Sequence, residues 1–170
     1  MNQTAFLWEP RFDDNFAVDL DAGLGPLIRG TRTTANAAGS LLTNAADYAK
    51  FRVAVTEGRG LKPEVHATMV APQIGISSRS LFSAPGTDGG KNAAIALSWA
   101  LGWGRFRSPA GDAMFHLGLE EGCEDYAVIF PERRTALVML SVTNNQRSFT
   151  RDLARELIGD TYSPFAWLGY

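Results

Sequence analysis

The sequence predicts an α+β fold, an antiparallel β-sheet flanked by helices. Two stretches, one starting near Asn44 and one near Ser148, carry apolar residues at helical spacing. Between them, residues 93–145 hold β-prone apolar runs separated by turn residues, the pattern of antiparallel strands. The 170 residues are 45% apolar and 20% charged, a balance that supports a core within one domain over residues 1–170.

The elements follow in chain order. Residues 1–38 are rich in Gly, Thr, Asp and Asn, with Phe16–Leu20 alternating as a short candidate strand, so an irregular covering segment is expected. Residues 41–72 read as helical. Asn44 can cap a first helix over 44–57, with Asp47 three residues on and Tyr48, Phe51 and Val55 on one face. Gly58 and Gly60 end it. Pro63 suits the first position of a second, short helix that runs to Val70 before Pro72. Ile74 to Lys91, with its serines and glycines, is expected to be a mobile loop. Strands are then expected within Ile95–Phe106 and at Ala113–Phe115, Tyr126–Phe130 and Thr135–Val142, the last two joined as a hairpin through Pro131–Arg134. A final helix over 148–159 carries Phe149, Leu153 and Leu157 as a core-facing stripe, and Gly159 stops it. Trp99 and Trp103 read as core, and the apolar tail Phe165–Tyr170 as a docking segment.

Composition narrows the function. Sixteen Lys and Arg against eighteen Asp and Glu, with the basic residues scattered, exclude the electrostatic footprint of a nucleic-acid or anionic-membrane partner. Even the longest apolar runs, such as Ala93–Leu97, are far short of the roughly 20 residues a membrane span needs. Cys123 is the only cysteine and His66 and His116 are the only histidines, too few for a structural zinc site. No metal or cofactor is expected. The N-terminus carries no signal-peptide pattern, and the compartment stays open.

Two stretches together resemble the C-terminal half of the serine β-lactamase and penicillin-binding-protein-like hydrolases, the superfamily of class-C β-lactamases, D-Ala-D-Ala carboxypeptidases and related esterases. Residues 37–51, Ala-Ala-Gly-Ser-Leu-Leu-Thr-Asn-Ala-Ala-Asp-Tyr-Ala-Lys-Phe, are similar to the family's A-G-G-L-x-S-T-A-x-D-L-A-R-F helix start. Leu101-Gly102-Trp103-Gly104, His116-Leu117-Gly118, Pro131-Glu132 and Asn144-Asn145 follow in the order of L-G-W-G, H-x-G, D-P-E and the asparagine after the last strand. The resemblance implies a partial β-lactamase/transpeptidase-like fold over roughly residues 1–158.

For the site, the resemblance implies that His116-Leu117-Gly118 is the strand walling an acyl-transfer centre. There a glycine lets backbone approach substrate, and the next amide, that of Leu119, faces a developing oxyanion. His116, Gly118 and Leu119 are the catalytic-side candidates, and Leu117 and Glu120 the substrate-side ones. The rest of the machinery is absent from the sequence. No serine is followed by Lys three residues on, and no tyrosine by Asn two residues on, so neither the Ser-x-x-Lys nucleophile nor the Tyr-x-Asn loop is present. Met1-Asn2-Gln3-Thr4-Ala5-Phe6 is similar to a segment found in mid-chain in the family, which implies a C-terminal fragment, inactive by itself.

In the intact protein the resemblance implies a small-molecule ester, amide or peptide substrate. Negative charge at Glu120 and Glu121 would weaken anionic substrates and points to an esterase-like or amidase-like enzyme over an efficient β-lactamase. The alternative is a non-catalytic binding or assembly module whose exposed apolar surface a homo-oligomer would cover. A lone His at a strand end is otherwise a partly buried polar group. His66 reads as a surface residue, Cys123 as a small packed residue, and Glu120, Glu121, Glu124 and Asp125 as a solvated loop.

Overall fold

The computed structural model describes residues 1–27 and 33–170, and the part of the covering segment at 28–32 lies outside the described residues. A 3-10 turn, Pro10–Phe12, opens the chain. The helices are α1 (Ala45–Thr56), α2 (Pro63–Val70), α3 (Lys91–Ala94), α4 (Arg147–Ile158) and α5 (Phe165–Leu168). The strands are β1 (Ile74–Gly75), β2 (Ser98–Trp99), β3 (Gly104–Ser108), β4 (Gly111–Glu120), β5 (Cys123–Phe130) and β6 (Thr135–Met139). They form one six-stranded sheet in the order β1-β2-β3-β4-β5-β6, antiparallel throughout. The α+β architecture is the one expected.

Local chemistry explains most element ends. Asn44 caps α1 by accepting the Asp47 amide at 2.9 Å. Pro63 sits in the first turn of α2, whose bounds agree with the sequence reading. Gly159 closes α4 in the left-handed conformation, φ 66°. Between β5 and β6, Pro131–Arg134 form the turn, with the Arg134 amide bonded to the Pro131 carbonyl.

The two sheet faces differ. The register places Phe106, Ala113, Phe115, Tyr126, Val128 and Phe130 on one face, where they form the main core with Ala154 of α4 and Phe165, Trp167 and Leu168 of α5. Each such large side chain contributes about 1.5–3 kcal/mol on burial. The apolar tail therefore docks on the sheet. The opposite face carries Met114, His116, Gly118, Asp125, Ala127 and Ile129, and α1 covers part of it through Arg52.

Several expectations are corrected. The apolar stretch Ile95–Phe106 is not one strand: it breaks at Leu101–Gly102, where Gly102 takes φ 84°, into β2 and β3. The 74–91 segment is held, since β1 adds to the sheet, the Trp167 indole donates to Ser78 Oγ, and the Leu81 amide bonds the Trp167 carbonyl. Phe16–Val18 form no strand, and only Leu20 makes an isolated bridge, to Pro26. The stripe on α4 faces outward, with Phe149 41%, Leu153 37% and Leu157 65% exposed, while the small Thr150 and Ala154 are fully buried. Small side chains let the helix backbone approach a sheet already filled by aromatic rings, and this sets the rotation of the helix.

Candidate active site

β4 is long enough to hold His116, Leu117, Gly118, Leu119 and Glu120 in one strand, all five paired to β5. On its other side β4 pairs with β3 only from Gly111 to Phe115, because β3 begins at Gly104 opposite Phe115. From His116 onward no strand among the described residues pairs with that edge. An open strand edge offers backbone donors and acceptors to an extended ligand.

Alternation divides the five residues between two faces. His116 and Gly118 lie on the α1 side, whereas Leu117 packs its side chain against the main core, so only its backbone lies at the open edge. Glu120 ends the strand exposed, and its carbonyl accepts from Asn144 Nδ2 at 3.0 Å. The His116 ring meets Trp99 and Trp103 edge-on, with centroids 6.3 and 6.2 Å away. Burial holds its imidazole below the ordinary value, the charge of Arg52 adds to this, and a hydrogen bond with the Leu117 backbone opposes it. His116 is thereby held toward the neutral form.

Three residues beside this strand were not placed at the site from the sequence: Arg52, Tyr48, read as part of a helix face, and Asp125, read as part of a solvated loop. Arg52 is only 1% exposed; its Nη2 donates to the Met114 carbonyl at 2.7 Å, and its guanidinium carbon lies 4.5 Å over the Trp103 ring. Nε and Nη1 have no hydrogen-bond partner among the described residues. Tyr48, one turn earlier on α1, faces the guanidinium, and burial pushes its phenol up. A signal existed, since position 52 falls within the apolar stripe that the sequence places at Tyr48, Phe51 and Val55 and is the one charged residue there.

Asp125 stands directly across from Gly118. A Cβ built on Gly118 would lie 3.2 Å from Asp125 Oδ2, so the carboxylate borders the space that the glycine leaves open. Burial raises the Asp125 carboxyl, opposed by the Ser141 amide it accepts at 3.0 Å. The expected solvated acidic loop is therefore not what forms. Glu124 and Asp125 belong to β5, and Glu124 is buried in an ion pair with Arg147 at 2.8 Å. Strand alternation across a tight turn turned an acidic run into two inward contacts. His66 is also half-buried, against Gly58.

The β4–β5 turn is braced from two sides. Asn144 Oδ1 accepts the Gly122 amide at 2.7 Å, and the Leu20 amide bonds the Val142 carbonyl at 2.8 Å. Gly122 takes φ 77°, and a Cβ there would stand 2.3 Å from Leu27 Cδ1, so the N-terminal segment does lie over this end of the sheet. Two surface hollows, one beside Pro109 and Glu132 and one beside Ile74 and Ser98, include none of residues 116–120.

Comparison with known proteins bears on the family and the fold. The beta-lactamase family model matches residues 2–160. Among solved structures, an octameric penicillin-binding protein homologue from Pyrococcus abyssi superposes with a TM-score of 0.62 at 17% identity, over 92% of this chain and 34% of that one. The chain thus spans about a third of the length of that homologue, and the likeness is one of fold. No curated protein gives a significant match.

Proposed function

The chain belongs to the beta-lactamase family, and from that premise we propose that it supplies the His116–Gly118 wall of an acyl-transfer site without the nucleophile. The observation that carries the reading is the open edge of β4 from His116 onward, with His116 facing α1 and Gly118 leaving room beside it. The Leu119 amide, on the same stretch of strand, is the proposed oxyanion donor, and Glu120 borders the substrate. No Ser-x-x-Lys or Tyr-x-Asn occurs in the sequence, so the chain by itself binds and does not acylate. The intact enzyme would act on a small ester, amide or peptide, and Asp125 and Glu120 disfavour substrates with a carboxylate beside Gly118.

The experiment is covalent labelling of the purified 170-residue chain with a fluorophosphonate and with a fluorescent penicillin, read by intact-mass spectrometry. No adduct is expected. Stoichiometric labelling of any serine in the folded chain would overturn the reading.

A second reading, a non-catalytic assembly module, is favoured by one observation. The α4 stripe of Phe149, Leu153 and Leu157 is exposed, and β6 is an edge strand on the same side of the sheet order. A homo-oligomer would cover that surface, and the neighbouring fold is that of an octameric protein.

A further inference from the structure

The least explained group in the molecule is Arg52. A guanidinium remains charged at every pH at which proteins fold, and taking it out of water without a counter-ion is strongly unfavourable. Its compensation is one charge-assisted bond, to the Met114 carbonyl, the face of Trp103 and the neutral Tyr48 side chain. It has no ion pair with any described residue, and Nε and Nη1 have no hydrogen-bond partner among them. An apolar side chain would fill the same stripe of α1 without that cost, so packing alone does not account for an arginine there.

What Arg52 touches lies next to His116. Met114 is two residues before His116 on β4 and on the same face of the sheet. Trp103 receives the guanidinium on its ring and meets the His116 ring edge-on. Trp103 thus touches the imidazole directly, and Met114 shares its strand and its face.

We propose that Arg52 is a positioning residue for His116, acting through the Met114 carbonyl and the Trp103 ring. It rests on the reading of His116–Gly118 as a site wall. Burial holds the imidazole toward the neutral form and the fixed positive charge of Arg52 adds to this, so that a ring nitrogen is available as an acceptor for a proton or for a substrate hydrogen-bond donor. The other charged or titratable groups on this face are Tyr48 on α1, Asp125 on β5, one diagonal step from His116 across the strands, and, toward the start of β4, Arg105 opposite Met114, which is paired with Asp112 as is Arg107. Burial keeps Tyr48 in its neutral form. Asp125 carries charge of the opposite sign, and burial raises its own carboxyl, which weakens that pull. The arrangement needs no nucleophile, so it can be tested in this chain as it is.

The test is an NMR titration of the histidine ring resonances of the 170-residue chain, with His66→Gln assigning the two histidines. In the wild type, His116 is expected to titrate below the ordinary imidazole value of about 6.5. In Arg52→Met its midpoint moves up by about one pH unit, and Arg52→Lys, which keeps the charge, holds it low. If Arg52→Met does not fold, Arg52→Gln, with a donor for the Met114 carbonyl but no charge, carries the same expectation. A wild-type midpoint at or above 6.5, or an unchanged midpoint in a folded Arg52→Met or Arg52→Gln, overturns the proposal. Adduct formation on a serine would overturn the site reading instead, and the two failures are read in separate experiments.

Discussion

The Tyr126 hydroxyl lies 2.6 Å from Ser163 Oγ, deep between β5 and α5. Ser163 Oγ in turn donates to Asp160 Oδ2 at 2.6 Å, and Asp160 Oδ1 accepts the amides of Tyr162 and Ser163 at 2.9 Å. All three side chains are buried. Asp160 thus organises the turn that brings Phe165, Trp167 and Leu168 onto the sheet, and Tyr126 ties that turn to the strand pairing with the site residues.

Removing one acceptor here leaves several buried donors unsatisfied. Asp160→Ala is expected to cost about 3 kcal/mol, Ser163→Ala about 2 and Tyr126→Phe about 1, measured by urea denaturation. Burial pushes the Tyr126 phenol far above the ordinary tyrosine range, so an alkaline absorbance titration should show no ionisation of Tyr126 before the chain unfolds.

Gly104 is required by contact and not by backbone freedom. A Cβ at Gly104 would stand 2.2 Å from Phe115 Cζ, and the Phe115 ring is fully buried. Gly104→Ala is expected to cost at least about 2 kcal/mol through overpacking. Because Phe115 precedes His116, the same substitution should shift the His116 ring resonances, while Gly60→Ala, which strains only the loop after α1 at φ 79° and brings its Cβ against no described atom, should leave them in place.

Local signals made much of the fold legible: the Asn44 cap, Pro63, the Pro131 turn and Gly159 all stop or start elements where their chemistry predicts. The H-x-G resemblance likewise led to the strand that carries the open edge. What stayed hidden depends on long-range placement. Periodicity says that one stripe of α4 is apolar, but not that Thr150 and Ala154 are small enough to bring another face to the sheet. Arg52, Asp125 and His116 are 64 and 9 positions apart in sequence, and only the β4–β5 register and the seat of α1 put them on one face. The acidic run at 120–125 read as solvated because composition carries no information on strand alternation.

Asp47 joins the N-terminal segment to α1. Its carboxylate accepts from Lys50 Nζ at 2.7 Å and from the Gln3 amide at 2.8 Å. The Lys50 bond first, and then the Gln3 amide, hold the Asp47 carboxyl down from its ordinary 3.8 to about 2. With the folded value depressed, its contribution is fully present above about pH 4 and is lost as pH falls toward about 2. Asp47→Asn should flatten the acid side of the stability profile over that window, as read by thermal melts at stepped pH. Asn44→Ala, which removes the cap alone, should cost about 1 kcal/mol, or roughly 2–4 °C in Tm for a chain of this size, at every pH.

The outward stripe of α4 allows stability and association to be separated. Leu157 is 65% exposed, so replacing it removes little buried area within the chain, and a cation in the last turn of a helix is favourable to the helix dipole. Leu157→Lys is therefore expected to change unfolding free energy by no more than about 0.5 kcal/mol. Charge in the middle of an apolar contact leaves an unpaired ion when that contact closes. If the stripe is covered in a homo-oligomer, Leu153→Glu together with Leu157→Lys should convert the assembly to monomer in sedimentation velocity while circular dichroism stays native. A wild type that sediments as a monomer at high micromolar concentration, with no dye-accessible apolar surface, would remove the assembly reading and leave the incomplete acyl-transfer wall standing alone.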